Sequence, residues 1–105
     1  MSNIKHAVIS AAGIGSRLGL NRPKCLIEVG GRTLLDYHVQ RLAEVENIWL
    51  VVGFQEETVI EHALSLRSDI IIARNPDYAR TNTLQSIYSV ARHLKERFLA
   101  LDADT

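Results

Sequence analysis

Four short apolar runs, at residues 6–10, 48–52, 70–73 and 98–101, alternate with stretches of helical spacing, and this alternation limits the chain to few folds. The first run is rich in β-branched residues. The second, Ile-Trp-Leu-Val-Val, is unbroken and ends at Gly53, as a strand covered on both faces would. Between the runs, Leu34, Leu35, His38, Val39 and Leu42 predict a helix over about 33–44. Val59, Ile60, Ala63 and Leu64 predict a second, with Glu56, Glu57 and Glu61 on its wet side. Leu84, Ile87, Tyr88, Ala91 and Leu94 predict a third, with Asn82 or Thr83 as its N-cap. Residues 26–29 read as a short extended piece turned by Gly30-Gly31, and residues 74–83, with Asn75-Pro76, as loop. Such a pattern implies β-α-β units and a mostly parallel sheet. Right-handed crossovers then place helices on both faces, giving a three-layer α/β/α fold.

In such sheets a ligand lies outside the carboxyl ends of the strands. The glycine-rich segment after the first run, Gly53, the 74–83 loop, Asp102 and Asp104 all follow strands directly, so they gather on one rim. Residues 11–24 read Ala-Ala-Gly-Ile-Gly-Ser-Arg-Leu-Gly-Leu-Asn-Arg-Pro-Lys. A glycine turn can press backbone N–H groups against phosphate. Arg17, just beyond it, can fold its planar fork over phosphate oxygens. Lys24 is stiffened by Pro23 and followed by apolar Cys25-Leu26-Ile27. There it can meet negative charge developing on a phosphoryl group. Asp102 and Asp104 share a face if the last strand is unbroken, and their carboxylates suit magnesium. A triphosphate grip beside a metal carboxylate points to nucleotidyl transfer.

Each of these features has an ordinary reading as well. The glycines can form a tight turn without a ligand. The aspartates can end a strand in solvent or cap a helix. Thr81, Asn82, Thr83 and Ser86 can supply a helix cap; beside the rim, the same donors can read a base or sugar edge. A dinucleotide fingerprint fits poorly, because Gly19 comes one place late and no acidic residue ends a strand about 20 residues on. A P-loop is excluded, since no Gly-Lys-Ser/Thr follows the glycines. Cys25 reads as a small apolar filler and Trp49 as core. His6, His38, His62 and His93 lack metal spacing and are assigned no chemistry.

Composition narrows the partners. The 105 residues suffice for one small domain, and 47% hydrophobic with 23% charged residues fits a globular chain. Twelve basic residues balance twelve acidic ones, so no net field draws in nucleic acid or a membrane surface. No apolar run approaches the ~20 residues of a membrane span, and no signal peptide is evident. The single cysteine excludes an internal disulfide and favours a cytoplasmic setting. A homo-oligomer stays open. The last run stops beside an open sheet edge, which predicts that residues 1–105 are the N-terminal part of a longer protein.

The run Ala11-Ala12-Gly13-Ile14-Gly15-Ser16-Arg17 followed by Pro23-Lys24 resembles the signature of the nucleotidyltransferases that activate sugar phosphates and phosphocholine. Leu34-Leu35-Asp36-Tyr37 is similar to the start of that family's first long helix. Thr81-Asn82-Thr83, Ser86-Ile87-Tyr88-Ser89 and Asp102-Ala103-Asp104 resemble its bacterial phosphocholine cytidylyltransferase branch. The resemblance implies the N-terminal half of a Rossmann-like nucleotidyltransferase domain. It implies that Ala11, Ala12 and Gly13 meet the nucleobase and that Gly15, Ser16 and Arg17 hold the triphosphate. Thr81, Asn82 and Ser86 would complete the nucleotide site. Lys24 and Arg17 would be the catalytic cations, and Asp104, with Asp102, would bind Mg2+. The implied reaction joins an NTP, with CTP favoured, to a phosphorylated small acceptor and releases pyrophosphate. The acceptor could be phosphocholine, a phosphonate or a sugar 1-phosphate. A nucleotide-binding regulatory module, or an inactive fragment, is the alternative. The loop between Arg17 and Pro23 is shorter than in many sugar-phosphate members, and the family's second metal aspartate would lie beyond Thr105.

Overall fold

The computed structural model describes residues 5–11, 23–76, 83–94 and 97–102, with the backbone alone at Lys24, Thr83, Leu84, Ser86 and Asp102. Its main sheet has four parallel strands: β1 (His6–Ser10), β4 (Asn47–Val52), β5 (Ile71–Arg74) and β6 (Phe98–Asp102). Their spatial order is β5-β4-β1-β6. A small antiparallel hairpin, β2 (Glu28–Val29) and β3 (Arg32–Thr33), precedes α1 (Leu34–Arg41). The other helices are α2 (Glu56–Leu66) and α3 (Thr83–Ala91). The α/β class and the parallel sheet expected from the alternation are both present.

The chain steps outward from β1 to β4 to β5, then returns to the far side of β1 as β6. A crossover of fixed hand that reverses direction must carry its helix to the opposite face. Accordingly Leu35 and Val39 of α1 and Val59 and Ala63 of α2 share one core with Ala7, Ile9, Ile48, Leu50 and Val52. On the other face Val90 of α3 packs with Val8 and Val51, flanked by half-buried Trp49, Ala73, Ile87, Leu94 and Phe98. Strand β4 is therefore apolar at successive positions because both of its faces are covered. Trp49 is less enclosed than its reading as core implied, although its indole Nε1 is buried with no hydrogen-bond partner among the described residues.

Helix ends depart from the periodicity for one reason. Apolar spacing continues through short i→i−3 turns that are no longer α-helix. Beyond α1, Ala43 N bonds Gln40 O and Val45 N bonds Leu42 O; beyond α3, His93 N bonds Val90 O and Leu94 N bonds Ala91 O. The helices expected to reach residues 44 and 94 thus end at Arg41 and Ala91. The hairpin turns as expected at Gly30 and Gly31, whose φ of 64° and 83° glycine adopts without steric cost. Arg67, after α2, ties the segment beyond α1 down by donating to the carbonyls of Leu42 (3.2 Å), Val45 (2.7 Å) and Glu46 (2.9 Å).

His38 of α1 is buried. Burial first, and the nearby Arg41 charge second, hold its imidazole below the ordinary value of 6.5. The unfolded chain therefore binds this proton more tightly than the folded one. Stability from the neutral ring is complete above about pH 6.5 and is lost as pH falls through the depressed folded value. We predict that the urea midpoint falls between pH 7.5 and pH 5, and falls less in His38→Gln. Identical pH slopes for the two proteins would remove His38 as the cause.

Candidate functional site

Parallel pairing sends every strand's carboxyl end to the same rim. Ser10 lies opposite both Val51 and Asp102, and Val52 lies opposite Arg74. The strand order reverses between β1 and β6, and a crevice at such a reversal is where open α/β sheets hold ligands. Ser10 and Asp102 flank it.

Both ends of the glycine-rich segment are anchored in buried structure. Ala11 is buried, and its N–H donates to Val51 O at 2.8 Å, extending the β1–β4 ladder one residue toward the rim. The chain comes back at Pro23, which is fully buried. A single 3-10 turn follows over Lys24–Leu26, closed by Leu26 N donating to Pro23 O at 3.1 Å. Cys25 fills the core beneath it with Leu35 of α1, in keeping with its reading as an apolar filler. The backbone of Lys24 thus starts a turn with a buried residue on either side.

The helix N-termini complete the rim. Helix α3 starts at Thr83 and includes Ser86 in its first turn, so its free N–H groups point toward the carboxyl side of the sheet. Ala12, Gly13, Gly15, Ser16, Arg17, Thr81, Asn82 and Asp104 lie outside the described residues. Among the described residues, no group of three or more His, Cys, Asp or Glu gathers in metal-binding geometry.

Two features of the rim and its surroundings escaped the sequence reading. A depression of about 410 Å³ opens beside Gly53, Gln55, Glu56, Glu57 and Thr58. Gln55 adopts a left-handed backbone with φ 49°, uncommon for a residue other than glycine. Arg74 reaches across to Glu56 at 3.4 Å. The glutamates make this depression a poor seat for polyphosphate, and β4 and β1 separate it from the reversal at β6.

The second is a group joining α1 to α2. His62 Nε2 lies 2.7 Å from Asp36 Oδ1 and 3.3 Å from Thr33 Oγ1. Burial pulls the Asp36 carboxyl upward, but the Thr33 N–H, His62 and the Thr33 hydroxyl together outweigh it and hold it below its ordinary value. An ionised carboxylate only accepts, so Nε2 carries the proton. Residues 26 positions apart meet here, and no local pattern signals such a contact.

Residues 7–105 match the family described as the MobA-like NTP transferase domain. The CMP-5'-(3-aminopropyl)phosphonate synthase of Streptomyces rubellomurinus is 36% identical over 107 residues, covering 93% of this chain and 17% of that protein. The choline-phosphate cytidylyltransferase of Streptococcus pneumoniae is 32% identical over 103 residues, covering 93% of this chain and 44% of that protein. The solved structure of CTP:phosphocholine cytidylyltransferase from Streptococcus pneumoniae superposes with a TM-score of 0.81 at 31% identity, covering 96% of this chain and 46% of that one. The chain therefore spans less than half the length of these relatives. No helix among the described residues is long and apolar enough to cross a membrane.

Proposed function

Since the chain belongs to the family of MobA-like NTP transferases, we propose that it forms the nucleotide-binding part of an enzyme transferring a nucleotidyl group from an NTP to a phosphorylated small acceptor. The observation that carries this reading is the anchoring of the glycine-rich segment. It leaves β1 at buried Ala11, one residue beyond the Ser10 that Asp102 faces across the strand reversal, and returns at buried Pro23, whose following turn packs into the core with α1. CTP is the favoured donor, and phosphocholine or an aminoalkylphosphonate the favoured acceptor. The relatives that act on such compounds are similar across 93% of this chain.

In this reading an acceptor phosphate oxygen attacks the α-phosphorus and pyrophosphate leaves. The protein's work is positioning and charge neutralisation rather than covalent catalysis. Backbone groups of Ala11, Ala12 and Gly13 meet the base. Gly15, Ser16 and Arg17 hold the triphosphate, and Thr81, Asn82 and Ser86 read the remaining base or sugar edge. Lys24 neutralises charge developing at the α-phosphate. The hard oxygens of Asp104 and Asp102 fit magnesium, and the register that sets residue 102 beside Ser10 supports that fit. Magnesium, when bound, supplies further charge neutralisation on phosphate oxygens. A cytoplasmic setting is part of the reading, supported by a sequence with one cysteine and hence no internal disulfide.

The test is calorimetric titration of the full chain with CTP, UTP, GTP, ATP and dTTP in magnesium, with NAD as control. We expect preference for CTP, and loss of binding in Arg17→Ala. Pyrophosphate release is then measured with choline phosphate, an aminoalkylphosphonate and a sugar 1-phosphate. Preference for NAD, or binding of no nucleotide by the full chain, would overturn the assignment.

A further inference from the structure

We infer that His62 is a positioning residue for the turn that carries Lys24, acting across α1 through Asp36 and Thr33. The inference rests on the role proposed above for Lys24, but its geometry is independent of that role. Asp36 serves two partners at once. Its Oδ2 accepts from Thr33 N at 2.8 Å while its own N–H donates to Thr33 Oγ1 at 3.0 Å, a reciprocal cap on α1. Its Oδ1 accepts from His62 of α2 at 2.7 Å. The cap alone is a local device spanning three residues. The histidine turns it into a brace between two helices.

The brace continues to the turn. Thr33 ends β3, and the next residue, Leu34, donates its N–H to Ile27 O at 3.2 Å. Ile27 directly follows the turn of Lys24–Leu26. On the apolar side, Cys25 of that turn and Leu35 of α1 belong to one core. The N-terminus of α1 is therefore the support on which the turn rests, and His62 holds that support to α2.

Energetics separate this role from simple stabilisation. The His62 side chain is 33% exposed, and a hydrogen bond to a group so open to water adds little to stability. Their geometric effect can still be large, since a 1 Å displacement of a group at a reacting centre costs ~100-fold in rate. Partial loosening of the turn should cost on the order of 10-fold.

The test compares the full chain with His62→Ala and His62→Gln. The glutamine amide nitrogen can occupy the place of Nε2 and donate to Asp36. We expect His62→Ala to lower kcat by about 10-fold, with KM for the nucleotide changed far less. Exchange of the Leu26 and Leu34 amides should accelerate by at least about fivefold, while that of the core amide Leu50 stays unchanged. His62→Gln should restore both. If Leu26 and Leu34 exchange is unchanged in His62→Ala, the inference fails whatever the activity. Faster exchange with kcat within about twofold of the parent would also overturn it, because the brace would then be structural only. If Lys24→Ala leaves kcat unchanged while the two amides respond in His62→Ala, the reading of Lys24 fails, and the coupling of His62 to the turn stands.

Discussion

Lys24→Ala is expected to lower kcat for nucleotidyl transfer by about 100- to 1000-fold, the effect of removing one preorganised donor from a reacting centre, roughly 2.7–4 kcal/mol. The backbone supports an effect of this size. Lys24 opens a turn closed by the Leu26 N to Pro23 O bond, with Pro23 and Cys25 buried on either side. The backbone from which the cation extends is thus fixed on both sides, which limits the reorganisation left to the side chain's own rotors. Thermal stability should change far less than kcat, because the buried neighbours that build the turn remain. Single-turnover pyrophosphate release at saturating nucleotide measures the effect. A rate within about threefold of the parent would remove Lys24 from the reacting centre. Lys24→Arg is an informative companion, because the guanidinium keeps the charge but changes its shape and reach.

Leu50→Ala should destabilise the fold by about 2–5 kcal/mol, the cost of truncating an enclosed leucine. Leu50 sits within β4, fully buried against the core built by α1 and α2. Its neighbour Val51 supplies the carbonyl that anchors Ala11 at the rim, so damage here reaches the site as well as the core. For a chain of this size each kcal/mol lowers Tm by about 4–8 °C. Thermal unfolding followed by circular dichroism should therefore show a fall of roughly 10 °C or more. Leu50→Met, which nearly conserves volume, should cost less than about 1.5 kcal/mol. Equal effects of the two substitutions would mean that cavity formation at β4 is not what limits stability.

Much of the fold was legible because its elements are set by short-range patterns. β1 and β4 are apolar runs whose burial on both faces leaves little polar sequence, and they were readable almost residue for residue. The three helices were readable from their apolar spacing, and the hairpin from adjacent glycines that tolerate positive φ. Boundaries were less legible. Thr33 was read as the start of α1 and is its N-cap, with Asp36 completing the box. The last turns of α1 and α3 keep apolar spacing after α-helical bonding has ended. That Ala11 and Asp102 come to the carboxyl rim also followed from alternation, since one directly follows β1 and the other ends β6.

The sequence by itself determined which segments become strands and helices, and hence which loops share a rim. Those properties depend on side-chain periodicity and turn chemistry within a few residues. Tertiary structure alone decided the register that sets Asp102 beside Ser10, the Arg67 clasp on the segment beyond α1, and the meeting of His62 with Asp36. These partners lie far apart along the chain. They are matched only after the sheet orders its strands and the helices pack on it, because hydrogen bonds act over about 3 Å of space and carry no mark of their partner in local sequence.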